Sequence, residues 1–122
     1  YDQINSFEQR LSFYGTRIVK VYLHISKEEQ RQRLQECVDI PAKRWKFNQG
    51  DLEERKLWDQ YRHAFEVALE HCSTDWAPWF VIPADKNWYR NALVARLVRR
   101  TLEDMNPQYP EPGFDPKGIR VV

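Results

Sequence analysis

Two apolar runs limit the folds open to this chain. "RIVKVYLHI", residues 17–25, places Ile18, Val19, Val21, Tyr22, Leu23 and Ile25 in near-unbroken order, and "WFVIP", residues 79–83, repeats the pattern in shorter form. Such β-branched runs suit strands covered on both faces, as in a parallel sheet. Helical signatures precede, separate and follow them. The expected order is helix, strand, helix, helix, strand, helix, which favours a parallel sheet with helices packed on it. Two strands are fewer than the ~4 to 6 of an ordinary sheet. Further strands are therefore expected upstream, or a second chain must cover these two.

The helices read from spacing and caps. Ile4, Phe7, Leu11 and Tyr14 recur at steps of three and four, which predicts one apolar face, and Gly15 stands where a left-handed cap belongs. Ser26 and Glu29 form an S-x-x-E capping box for a helix running to about Val38, and Pro41 ends it. Asp51 and Glu54 give a D-x-x-E start to one long helix with Trp58, Tyr61, Phe65, Ala68 and Leu69 on its apolar face. "STDWAPW" reads as a loop. Asp85 is placed to cap a last helix, whose inner face takes Tyr89, Leu93 and Leu97 with Val94, Val98 and Leu102. Pro107, Pro110, Pro112 and Pro116 predict an extended, mobile tail.

More than fifty residues lie between Ile25 and Trp79, far more than one crossover helix needs. A helical hairpin with a basic tip fills that interval. Its tip, "PAKRWKFNQGDLEER", gathers Lys43, Arg44, Lys46 and Arg55 with Trp45 and Phe47. Arg offers a planar fork and Lys a mobile point charge, which together suit an anion. Arg33 on the preceding helix, if it faces inward, meets the cluster across the turn. Arg55 would complete the ring, and the helix start after Asp51 adds a positive dipole end. The competing reading is a solvated loop, with the bases paired to Glu28, Glu36, Asp39, Asp51 and Glu53. Trp45 and Phe47 are then packing residues.

Composition removes several functions. At 122 residues the chain suits one domain, and 42% apolar residues can supply a core. A net charge of +1 opposes a general polyanion binder, and without an RNA-binding signature no nucleic-acid partner is expected. Cys37 and Cys72 are too few for a disulfide framework. No secretory signal or membrane-spanning run occurs, so a reducing cytoplasm and no membrane partner are expected. His63, His71 and Cys72 lack paired ligand spacing, so no zinc site is assigned. Gly15, Gly50, Gly113 and Gly118 fit no G-x-x-x-x-G-K-[ST] loop. No nucleophile–base pair has readable spacing; Ser26 and Ser73 read as caps or turns. Asp85 is an N-cap or a ligand contact beyond a strand's carboxyl end, and His24 a structural histidine. "YDQINSFEQRL" starts without methionine and is already amphipathic, as in a chain cut from something longer.

Together these segments resemble the carboxyl-terminal half of the polyphosphate kinase 2 family. "INSFE", "IVKVYLHISKEEQRQRL", P-x-K-x-W-K-F, D-L-E-E-R-x-x-W-D-x-Y, "APW" and "VIPAD" follow that family's pattern in order, over about residues 1–112. The resemblance implies an α/β P-loop kinase fold, here its carboxyl-terminal part, with parallel strands flanked by helices and a helical lid over about residues 27–70. Residues 113–122 form the tail. It further implies magnesium-dependent phosphoryl transfer between inorganic polyphosphate and a nucleoside mono- or diphosphate (ADP/AMP or GDP/GMP), and a homo-oligomer. Arg33, Lys43, Lys46 and Arg55 match basic lid positions, expected to bind phosphate; Arg44 falls at a variable one. Cys37 stands where the family commonly has arginine, and Cys72 where it has threonine. The phosphate loop and acidic metal-binding segment would precede Tyr1, so no catalytic residue or magnesium ligand is assigned here and the chain alone is expected to be inactive. The alternatives are a noncatalytic remnant that binds phosphate chains or another subunit, and a nucleoside monophosphate kinase relative.

Overall fold

The protein is described here by a computed structural model, which covers residues 1–115 and 117–120. Helix α1 (Asp2–Phe13) leads into strand β1 (Lys20–His24), then helix α2 (Lys27–Asp39) and a 3-10 turn (Pro41–Lys46). Helices α3 (Gly50–Lys56) and α4 (Trp58–Cys72) return the chain to strand β2 (Trp79–Pro83), and helix α5 (Asn87–Met105) follows. The two strands pair in parallel, with Lys20 opposite Trp79, Tyr22 opposite Val81 and His24 opposite Pro83. The Ala84 N–H extends the ladder by donating to the His24 carbonyl at 2.8 Å.

This is the mixed α/β arrangement expected from the two apolar runs, with one difference. The sheet is not covered on both faces. Leu23 and Val81 are exposed, and among the described residues the buried apolar set is small: Cys72, Ala77, Ile82 and Ala84. Among the described residues each strand has one paired edge, so β1 is a strand only over the five residues that β2 matches.

Helix α1 ends as its sequence predicts. Gly15 adopts φ 88°, its N–H donates to Ser12 O, and the Thr16 N–H reaches back to Leu11 O. That pair of bonds is a Schellman cap, which glycine's missing Cβ makes inexpensive. The helix is nevertheless rotated from expectation. Ile4, Phe7 and Tyr14 are exposed, and only Leu11 of the predicted stripe is half-buried. Polar groups turn inward instead: the Asn5 amide donates to His71 O at 2.8 Å, and Glu8 meets Lys20 at 2.6 Å. Lys20 and Glu8 keep only 11% and 12% of their side-chain surface, and Lys20 also donates to Cys72 O at 2.5 Å. A cation this far out of water requires an acid partner, and that requirement orients α1.

Three capping expectations change in detail. Ser26 Oγ accepts from the Glu29 N–H at 3.1 Å, but Glu29 does not reach back; its carboxylate holds Arg33. In the second hairpin helix, Gln49 already has helical angles (φ −59°, ψ −30°), so the effective cap is Asn48. Asn48 Oδ1 accepts from the Gly50 N–H, and Asp51 Oδ2 accepts from the Asn48 N–H. The capping box is therefore Asn48–Asp51, three residues earlier than Asp51–Glu54, because a short amide next to the turn reaches the free N–H first. The expected single long helix is interrupted at Leu57, which divides it into α3 and α4; the Tyr61 hydroxyl bonds Glu54 across the break. Asp85 does not cap α5, whose first turn has no side-chain cap.

Helix α4 keeps Trp58, Ala68 and Leu69 half-buried while Tyr61 and Phe65 are exposed, Phe65 lying 4.8 Å from the Tyr22 ring. Along α5 the inward line is Arg90, Leu93, Val94, Leu97 and Thr101; the expected Tyr89, Val98 and Leu102 are exposed. The helix stops at Asn106 in the left-handed region (φ 43°), before Pro107. Ser73 acts as a turn residue, its hydroxyl accepting from the Trp79 N–H. Beyond α5 the described residues hold no helix or strand, with bends at 113–114 and a turn at 117–118. Pro116 and residues 121–122 of the predicted tail lie outside the described residues. No helix among them is long and apolar enough to cross a membrane.

Candidate functional site

The carboxyl ends of β1 and β2 open toward the start of α2, where a parallel sheet offers its ligand crevice. From there α2 runs outward to the basic tip. Ile40 before Pro41 takes extended angles (φ −92°, ψ 111°), as a residue preceding proline must, and the chain turns into the 3-10 segment. That turn holds Lys43, Arg44 and Lys46 within four residues of each other, with no acidic residue among them.

The structure divides the five predicted phosphate residues into two groups. Lys43, Arg44 and Lys46 share the tip. Lys43 Nζ contacts Glu36 at 2.6 Å, and Arg44 Nε donates to Val38 O at 2.8 Å. Lys46 lies 5.3 Å above the exposed Trp45 ring, and among the described residues it alone of the five donates no hydrogen bond. The ammonium of Lys43 holds the Glu36 carboxyl below its ordinary range. Arg33 and Arg55 are anchored away from the tip. Arg33 Nε binds Glu29 at 2.8 Å, and its Nη2 reaches Ala84 O, Asp85 O and Asn87 Oδ1 at 2.9, 3.2 and 3.2 Å. Arg55 Nη1 donates to Lys27 O at 2.9 Å and to Gln30 Oε1 at 2.5 Å. In this conformation no single ring of cations forms.

Phe47 is half-buried against α2, beside a cleft of about 200 Å³ that Leu34, Val38 and Leu52 also line. It is a packing residue, whereas Trp45 is 79% exposed and free to stack. Cys37 is a free, half-buried thiol one turn after Arg33. A second cleft, of about 620 Å³, lies between β1 and the hairpin and is lined by Tyr22, Gln30, Arg55, Trp58 and Phe65 among others.

Two residues have roles that sequence reasoning missed. Asp85 Oδ1 accepts the Ser26 N–H at 2.8 Å, fifty-nine residues away, and this bond holds its carboxyl below the usual range. Lys20 is the other; a lone lysine inside "IVKVY" was the available signal that a buried partner awaited it. On α2, Arg31 clasps Glu28 with two nitrogens, and that pairing, aided by Gln32, lowers the Glu28 carboxyl to about 2. The solvated-loop pairings are thus partly formed, at Lys43, while Lys46 stays open.

Residues 1–110 match the family described as Polyphosphate kinase 2. The "AMP/ADP-polyphosphate phosphotransferase" of Meiothermus ruber is 58% identical over 112 residues, which cover 92% of this chain and 42% of the relative. The "ADP-polyphosphate phosphotransferase" of Rhodopseudomonas palustris is 43% identical over 111 residues, 91% of this chain and 38% of that protein. Among solved structures, polyphosphate kinase 2 from Arthrobacter aurescens superimposes with a TM-score of 0.92 at 47% identity, covering 95% of this chain and 42% of the other. The chain therefore spans about two fifths of the length of these relatives.

Proposed function

The chain belongs to the polyphosphate kinase 2 family, and on that premise we propose that it supplies the basic lid and last two strands of an enzyme that moves phosphoryl groups between inorganic polyphosphate and a nucleoside mono- or diphosphate. One observation carries this reading: the match over residues 1–110 spans both parallel strands and the whole hairpin, and so includes the basic tip at Pro41–Lys46. The relatives' names supply the substrates, polyphosphate with AMP or ADP.

In this reading Lys46 makes the first phosphate contact, since it gives up no existing bond. Lys43 and Arg44 follow by exchanging Glu36 and Val38 O for phosphate oxygens, and Trp45 is available to a nucleobase. Arg55 holds its acceptors through Nη1, and Arg33 through Nε and Nη2, so each joins through its remaining N–H groups or by releasing those acceptors. Phosphoryl transfer is mostly positioning and charge neutralisation. Magnesium would supply part of that neutralisation. Among the described residues no three carboxylate, imidazole or thiol groups converge on a metal position, so the ion's seat is not assigned to this chain.

A chimera tests the proposal. The 112 matched residues of the Meiothermus ruber relative are replaced by those of this chain, and nucleotide formation from polyphosphate with AMP or ADP is followed with magnesium present. Retained turnover is expected. A folded chimera with no turnover, beside an active parent, overturns it.

A further inference from the structure

Side-chain hydrogen bonds tie the hairpin to the rest of the described chain at only two places. At the end of α4, Asn5 and Lys20 hold the carbonyls of His71 and Cys72. At the start of α2, two links run in opposite directions. Asp85, just beyond β2, reaches out to the Ser26 N–H. Arg33, two turns into α2, reaches back to Ala84 O, Asp85 O and Asn87 Oδ1 while Glu29 fixes its Nε. The remaining ties at the tip, Lys43–Glu36, Arg44–Val38 and Arg55–Lys27, stay inside the hairpin. Beside the Tyr22–Phe65 ring contact on α4, it is the Arg33–Asp85 pair of links that fixes how α2 itself leaves the sheet.

We propose that Arg33 and Asp85 are positioning residues, whose crossed bonds set the direction of α2 and so the place where Lys43, Arg44 and Lys46 are held for a phosphate chain. The consequence for binding rests on the phosphate-chain reading above; the mechanical part does not. Arg33 is then a fastener during binding rather than a ligand. Its Nε and Nη2 hold four protein acceptors, leaving only Nη1 open among the described residues, so a two-pronged grip on a phosphate would have to displace some of them.

The sign of one substitution separates this from simple electrostatics. Asp85→Ala removes a negative charge near a basic site, and on charge alone it should tighten polyphosphate binding. As a broken fastener it should weaken binding, by about three- to tenfold. Arg33→Ala should weaken it similarly while leaving the salt slope of binding unchanged, since no phosphate contact is lost. Asp85→Asn keeps an Oδ1 acceptor for the Ser26 N–H and should bring affinity back within about twofold of wild type.

The experiment uses the 122-residue chain, with circular dichroism confirming that each variant folds. Amide exchange at Ser26 is measured first, without ligand, and polyphosphate is then titrated at two salt concentrations. Faster exchange at Ser26 in Asp85→Ala, spreading into the first turn of α2, together with weakened binding rescued by Asp85→Asn, is the expected result. Unchanged Ser26 exchange overturns the clasp. Tighter binding in Asp85→Ala, or a flatter salt slope in Arg33→Ala, overturns the positioning role. Failure of wild type to bind polyphosphate overturns the phosphate-chain reading alone, and the exchange measurement still decides the clasp.

Discussion

Replacing Lys20 with methionine probes the strongest departure from the sequence pattern. The ammonium sits among three groups: Glu8 at 2.6 Å, Cys72 O at 2.5 Å and the Trp79 ring centroid at 5.4 Å. Methionine has a similar length and fills the space, so the change is mostly one of charge. It leaves the Glu8 carboxylate with 12% of its surface exposed and no cation, and it frees the Cys72 carbonyl. Removing one partner of a fully buried pair costs about 3–5 kcal/mol. The residual exposure here admits some water, so about 3 kcal/mol is expected. For a chain of this size that is a fall in Tm on the order of 10 °C. Adding Glu8→Met removes the stranded carboxylate, leaving chiefly the unpaired carbonyl at about 1 kcal/mol. Urea denaturation of the two single variants and the double variant completes the cycle, with an expected coupling of at least about 2 kcal/mol, since the double variant costs about 2 kcal/mol less than Lys20→Met alone and Glu8→Met adds its own cost. A loss below about 1 kcal/mol in Lys20→Met, or additivity of the two changes within about 0.5 kcal/mol, would refute the argument that this pair orients α1.

Glu28 should titrate near pH 2 by carboxyl NMR. Because its folded pKa lies below its usual 4.5, the Glu28–Arg31 contribution is present above about pH 4.5 and lost as pH falls through about 2; a midpoint near 4 contradicts the bidentate clasp. Sedimentation at low concentration should show association, because Leu23 and Val81 leave apolar surface on both faces of the sheet and Ile4 and Phe7 are exposed on α1; a compact monomer that binds no apolar dye refutes this. Cys37→Arg should strengthen polyphosphate binding by adding a cation one turn after Arg33; unchanged affinity at low salt counts against an anion site on that face of α2.

The parallel strand pair was legible because Val and Ile runs of that length have few other uses, and residues 79–83 were placed to the residue. The Gly15 cap and the Ser26 cap were legible for the same reason: each needs one residue type at one position. The faces of α1 and α5 were not. A periodic apolar stripe says which side a helix would bury if something were there to cover it, and Lys20 settled α1 differently. The basic tip was visible as a cluster in sequence, but Arg33 was not separable from it. Spacing along α2 places Arg33 on a face without revealing that Ala84 and Asp85, more than fifty residues away, supply its acceptors.

The central claim is that the tip at Pro41–Lys46 receives a phosphate chain, and salt-dependent titration of polyphosphate into wild type and Lys46→Ala tests it most directly. Each cation that meets the polyanion releases condensed counterions, so affinity should fall steeply as salt rises. Lys46 has no hydrogen bond or ion pair to surrender among the described residues, only its place over the Trp45 ring, so its loss should flatten the salt slope by up to about one unit of charge. Wild type and Lys46→Ala binding alike, with the same salt dependence, would make the tip a solvated loop and contradict the account.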